Sequence, residues 1–127
     1  MSKEIDFGFV PISSWENNSF SNSVLKANTE YTLRVDYPLG NPYEEKFQTG
    51  KVGMSKEALI NKICTTYKAI YQEEAATSGV KVGTLPGMYN RNKTNGKYGI
   101  CNHVIEDLCL VSASIDKKNV ITLGVDS

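Results

Sequence analysis

No stretch of this sequence approaches the roughly 20 consecutive apolar residues needed to cross a bilayer. Its start, MSKEIDFGFV, has neither a basic cluster nor an unbroken apolar run, so no membrane span and no secretory leader is expected. Cysteine is scarce. Cys64, Cys101 and Cys109 form an odd set without CxxC spacing, which argues against a secreted disulfide framework and fits a reducing cytoplasm. The sole histidine, His103, excludes two-histidine metal sites, and with Cys101 it supplies at most half a zinc site. No metal and no cofactor is expected. Net charge is missing as well: 14 lysines and arginines balance 14 aspartates and glutamates. No global field then draws the chain to extended nucleic acid or anionic lipid, and any anion binding must be local. There is no GxxxxGK(S/T) phosphate loop, no Rossmann fingerprint, no GxSxG serine and no paired-carboxylate motif, so the usual machinery of nucleotide hydrolysis is absent.

What is present reads as a single domain over residues 1–127, since 40% hydrophobic and 22% charged residues are ordinary for a globular chain. Its strongest signal is an amphipathic helix from Met54 to Thr77. Leu59, Ile60, Ile63, Cys64, Tyr67, Ile70 and Tyr71 recur at the three-and-four spacing that gathers side chains on one face. Asn61, Lys62, Thr65, Lys68 and Gln72 fall on the other face. Ser55 stands at the N-cap position, Glu57 puts a carboxylate in the first turn, and Gly79 is placed to end the helix in a left-handed conformation.

Before the helix, Tyr31, Leu33, Val35 and Tyr37 alternate with polar residues, the period of a half-buried strand. PLGNP turns the chain, and Tyr43, Glu45, Phe47 and Thr49 resume the alternation. After it, a strand is expected from about Leu108 to Ile115, with Cys109, Val111, Ala113 and Ile115 on one face and Leu110, Ser112 and Ser114 on the other. Asp116 to Asn119 is turn chemistry, and NVITLGV pairs back. Residues 1–28 read as an N-terminal arm or edge strand followed by a loop, with Trp15 and Phe20 stapling the arm to the body or to a partner. Residues 29–127 form a ββαββ-like core. The fold class is α+β: a mostly antiparallel sheet, one long amphipathic helix packed on one face, and a long Gly/Asn/Lys-rich loop.

That loop, GMYNRNKTNGKYG from Gly87 to Gly99, is the richest candidate for binding. Arg91, Lys93 and Lys97 bring three cations together, Asn90, Asn92 and Asn95 offer amide donors and acceptors, and Tyr89 and Tyr98 carry rings for stacking. Gly87, Gly96 and Gly99 permit backbone N–H groups to converge on a phosphate. The same residue types also make an ordinary solvated loop. His103, Glu106 and Asp107 are the only cluster that could pass a proton. Glu106 and Asp107 are read as turn residues or partners of the basic loop.

EYTLRVDYPLGNP, SKEALINKICTTYKAIYQEE, NRNKTNGKYGI and KYGICNHVIEDLCL together resemble small proteins encoded by bacteriophages, in particular the first family of Thoeris anti-defence proteins. The resemblance covers about Glu30 to Ser127. It implies a sponge that binds the cyclic ADP-ribose isomer made by a bacterial TIR-domain immune enzyme and holds it uncleaved in the host cytoplasm. It also implies a homo-oligomer with pockets at subunit boundaries, and a second type of site for cyclic oligonucleotides. The family's Trp-Gly-His-Asp run falls on Cys101, Asn102, His103 and Val104, so only the histidine is shared and Cys101 brings no ring. The expected ligand-binding residues are Tyr89, Asn90, Arg91, Asn92, Lys93, Asn95, Lys97, Tyr98 and His103. Arg91 or Lys97 is expected on the pyrophosphate, the asparagines on ribose or base, and Tyr89 or Tyr98 on the adenine. No catalysis is expected, because a sponge needs binding without acceleration. Two other readings stand beside it: a phage protein acting through protein contacts, and a small nucleotide-acting enzyme using His103 and Asp107.

Overall fold

The alternation at residues 30–35 sets the frame. Tyr31, Leu33 and Val35 are buried while Thr32 and Arg34 between them are half-exposed. The computed structural model describes residues 3–15, 23–78, 96–100 and 105–126, together with the backbone of 83–84 and 91–92. In chain order the elements are β1 (Lys3–Pro11), β2 (Ser23–Leu25), β3 (Glu30–Val35), β4 (Tyr43–Gln48), β5 (Met54–Ser55), α1 (Lys56–Thr77), β6 (Gly83–Thr84), β7 (Arg91–Asn92), a 3₁₀ turn at Ile105–Asp107, β8 (Cys109–Ile115) and β9 (Val120–Asp126). The fold is α+β, with one helix among the described residues. A five-stranded sheet runs β1-β8-β9-β3-β4. The hairpins β3–β4 and β8–β9 are antiparallel, and they meet through a parallel pairing of β3 with β9. A parallel pair requires a crossover connection, and the chain between β4 and β8, which contains α1, provides it. Two short pairs, β2–β5 and β6–β7, lie outside the sheet.

One sheet face carries the core. Ile115, Ile121 and Leu33 stand in register across β8, β9 and β3, with Glu45 of β4 beside Leu33. The helix covers this face with Leu59, Ile60, Ile63, Cys64, Tyr67 and Ile70, all buried, while Tyr71 is half-buried at the margin. Burying each large aliphatic side chain contributes about 1.5–3 kcal/mol. At the margin of the sheet, the Lys62 ammonium reaches Glu45 at 3.0 Å and lies 4.7 Å above the Phe47 ring. The Tyr67 hydroxyl, fully buried, donates to the Tyr37 carbonyl at 2.7 Å. Ser55 caps the helix as its side chain requires, accepting from the Ala58 N–H at 3.1 Å. At the other end Ser78 is extended and its N–H still bonds Glu74 O at 2.8 Å. Gly79, expected to end the helix, lies outside the described residues.

The N-terminal stretch forms an edge strand. Lys3–Pro11 pairs antiparallel with β8, and Ile5, Phe7, Val10 and the following Ile12 are buried in the core, so the sheet takes its fifth strand from the stretch read as arm or edge strand. A bulge breaks the pairing between Asp6 and Val10. Gly8 adopts φ +70°, a conformation that favours glycine, and its N–H bonds the Asp6 carboxylate at 2.8 Å. The phase shift turns Phe9 outward, 71% exposed. Directly across, β8 carries its own irregularity. Leu110 pairs with Val125 and Ser112 with Gly124, which leaves Val111 as an extra residue. This corrects the expected strand faces: Leu110 is buried on the same side as Ala113 and Ile115, because the bulge at Val111 reverses the alternation on its N-terminal side. Asp116 closes the β8–β9 turn as expected, accepting from the N–H groups of Lys118 and Val120 at 2.8 and 3.0 Å. No helix among the described residues is long and apolar enough to cross a membrane.

Candidate functional site

The last two turns of α1 hold the return of the long loop. A helix ends with its dipole negative, which disfavours carboxylates there, yet Glu73 and Glu74 occupy that end and Glu74 is fully buried. Donors from residues 96–98 offset the cost. Glu74 Oε2 accepts the Gly96 N–H at 2.8 Å, and Oε1 accepts the Tyr98 N–H at 2.7 Å. Thr77 Oγ1 takes the Lys97 N–H at 3.0 Å while donating to Glu73 O at 2.9 Å. Only glycine fits at position 96 without displacement. A Cβ there would lie 2.6 Å from Thr77 Oγ1 and 2.8 Å from Glu74 Cδ.

From the other side, the β3–β4 turn grips the same segment. Gly40 and Asn41 donate their N–H groups to Tyr98 O at 3.0 and 2.9 Å, Asn41 Nδ2 donates to Lys97 O at 3.2 Å, and Leu39 bridges to Ile100. The Tyr98 ring is 5% exposed and meets Tyr43 edge-on at 6.1 Å. Burial, followed by the charge of Glu45, pushes the Tyr43 phenol up from its ordinary value. The Lys97 ammonium meets Glu73 Oε1 at 2.5 Å, and that hydrogen bond and charge hold it above the usual lysine range.

Of the residues expected to bind, Lys97 and Tyr98 are therefore brought together at this base, the first engaged by Glu73 and the second packed in the core. Arg91 and Asn92 form β7, paired with Thr84 and Gly83 of β6, and their side chains lie outside what is described. Tyr89, Asn90, Lys93, Asn95 and His103 lie outside the described residues, as do Phe20 and Cys101. Trp15 is half-buried against the core. Glu106 and Asp107 belong to the 3₁₀ turn, and burial followed by the Asp107 charge raises the Tyr71 phenol. Among the described residues no group of three His, Cys, Asp or Glu side chains could hold a metal.

Glu74 is the residue that sequence reasoning missed. Its signal was available: two consecutive carboxylates at a helix end whose dipole opposes them imply a specific set of donors nearby. Compared with known protein families, with curated proteins and with solved structures, the chain finds no match.

Proposed function

We propose that this protein binds a cyclic ADP-ribose isomer and sequesters it without degrading it, acting as a phage anti-defence protein in the bacterial cytoplasm and working as a homo-oligomer. The observation that supports this reading is the clamp of Glu74 and Thr77 on Gly96, Lys97 and Tyr98. It fixes the base of the Gly/Asn/Lys-rich loop to a helix end, and a polar loop anchored on a rigid scaffold suits ligand recognition. The β6–β7 pairing sets Arg91 and Asn92 on extended backbone. In this reading Arg91 neutralises pyrophosphate and the neighbouring asparagines hydrogen-bond ribose or base.

The decisive experiment incubates the protein with cyclic ADP-ribose isomers, removes free ligand, denatures the protein and analyses what is released. Intact ligand is expected, and Asn92→Trp should abolish its retention in a protein that still folds. Degraded ligand would replace the sponge with an enzyme.

A second reading, action through protein contacts, draws on Phe9. This large apolar ring stands 71% exposed on edge strand β1, whose outer side is unpaired among the described residues. It predicts a co-purifying protein and no retained nucleotide.

A further inference from the structure

The β3–β4 turn and its loop segment lie at the C-terminal end of β3. At the N-terminal end of that strand, three segments distant in sequence leave an open cleft of about 330 Å³. Lys3 comes from β1, Lys26 from the link between β2 and β3, and Lys117 from the β8–β9 turn. We propose that this cleft is a binding site for a compact organic phosphate of the size of a sugar phosphate.

The charge balance points to an anion. Asp116 also lines the cleft, but its Oδ1 is occupied by the N–H groups of Lys118 and Val120, which close the turn. No ion pair among the described residues joins Lys3, Lys26 or Lys117 to a carboxylate. Three ammonium groups against one carboxylate leave an excess that a doubly charged phosphate matches.

Two further features aim donors at such a ligand. The Lys3 ammonium donates to the Val24 carbonyl at 2.8 Å, which fixes its position, and an ammonium carries further protons for an anion. Tyr31 is only 4% exposed, and its hydroxyl accepts the Lys26 N–H at 3.0 Å. Its phenolic proton has no acceptor among the described residues and is available to a phosphate oxygen.

Size and lining select an organic ester over the bare ion. Small-molecule sites span roughly 300–1,000 Å³, more than inorganic phosphate fills. Val24, Ile115 and the Tyr31 ring offer apolar surface for a carbon skeleton. The walls are fixed in place: Asn119, at φ +61°, accepts the Thr32 N–H at 2.9 Å and ties the turn that carries Lys117 to β3. No described residue of the Gly87–Gly99 loop lines the cleft, and the proposal does not rest on the function proposed above.

Calorimetric titration of the full chain with ribose 5-phosphate at low salt tests the assignment. Saturable binding of one molecule per chain is expected, with free ribose giving none. Lys26→Gln/Lys117→Gln should weaken binding at least tenfold, Tyr31→Phe severalfold, and Lys68→Gln, on the exposed face of α1, not at all, while circular dichroism shows each variant folded. Absence of saturable binding, equal binding of free ribose, unchanged affinity in the double lysine variant, or loss in Lys68→Gln would each overturn the proposal.

Discussion

The two ends of β3 treat charge in opposite ways. At its C-terminal end, Glu74 is buried with two backbone N–H donors on it, and Lys97 is paired with Glu73. At its N-terminal end, Lys26 and Lys117 line a cleft without a carboxylate partner among the described residues. A charge such as Glu74 is part of the fold, because removing it strands the amides it satisfied. Charges such as Lys26 and Lys117 contribute little to stability and remain available to a ligand. Titratable residues are therefore sorted by what already satisfies them, a criterion that separates architecture from recognition even where both are polar.

Removing Glu74 should break the contrast most severely. Glu74→Ala leaves the Gly96 and Tyr98 amides without their acceptor, and a loss of about 3 kcal/mol is expected in urea unfolding. Glu74→Gln, which keeps one oxygen acceptor, should lose less. If Glu74→Ala unfolds at the wild-type urea concentration, the clamp is not structural. Next comes Gly96→Ala, expected to cost about 1–3 kcal/mol by forcing Thr77 and Glu74 aside. Combined with Glu74→Ala the costs should fall short of their sum, since both act on one contact.

A smaller effect concerns the core face of α1. Burial lifts the Cys64 thiol from 9.0 to about 11, and it raises the Tyr67 and Tyr71 phenols above their ordinary 10.0. These groups ionise more readily in the unfolded chain, so the unfolded state binds fewer protons once the pH passes 9.0. Stability is then complete below that point and falls as pH rises through 9.0 to about 11, with the tyrosines deepening the loss above 10.0. Unfolding midpoints measured across that range check the sign, and a flat profile would contradict it. The smallest change belongs to the cleft: Lys117→Gln should shift stability by less than about 0.5 kcal/mol in the same urea assay.

The sequence made one part of this contrast far more legible than the other. Periodicity revealed β3, β4 and the stripe of α1 because their inward residues, Leu33, Val35, Leu59 and Ile63 among them, are large and apolar at regular spacing. It misread β8, since nothing in CLVSASI marks Val111 as the residue that bulges. The Gly87–Gly99 stretch was recognisable as a polar loop, and the Glu73–Glu74 pair signalled a need for donors, but not that residues 96–98 supply them. Glu74 acts on amides 22 and 24 positions further along, and backbone donors leave no trace in residue type. The lysine cleft was hidden for a related reason: its three cations come from segments that only the pairing of β1 with β8 and of β9 with β3 draws together.

That same strand order governs how the chain can assemble. The central place in the sheet belongs to β9, the latest described strand in sequence, with β1 and β8 on one flank and β3 and β4 on the other. During synthesis the earlier hairpin and the helix must wait beside an unfilled slot until Val120–Asp126 emerges. A premature stop just upstream would leave two unjoined flanks, each with a bare edge open to aggregation.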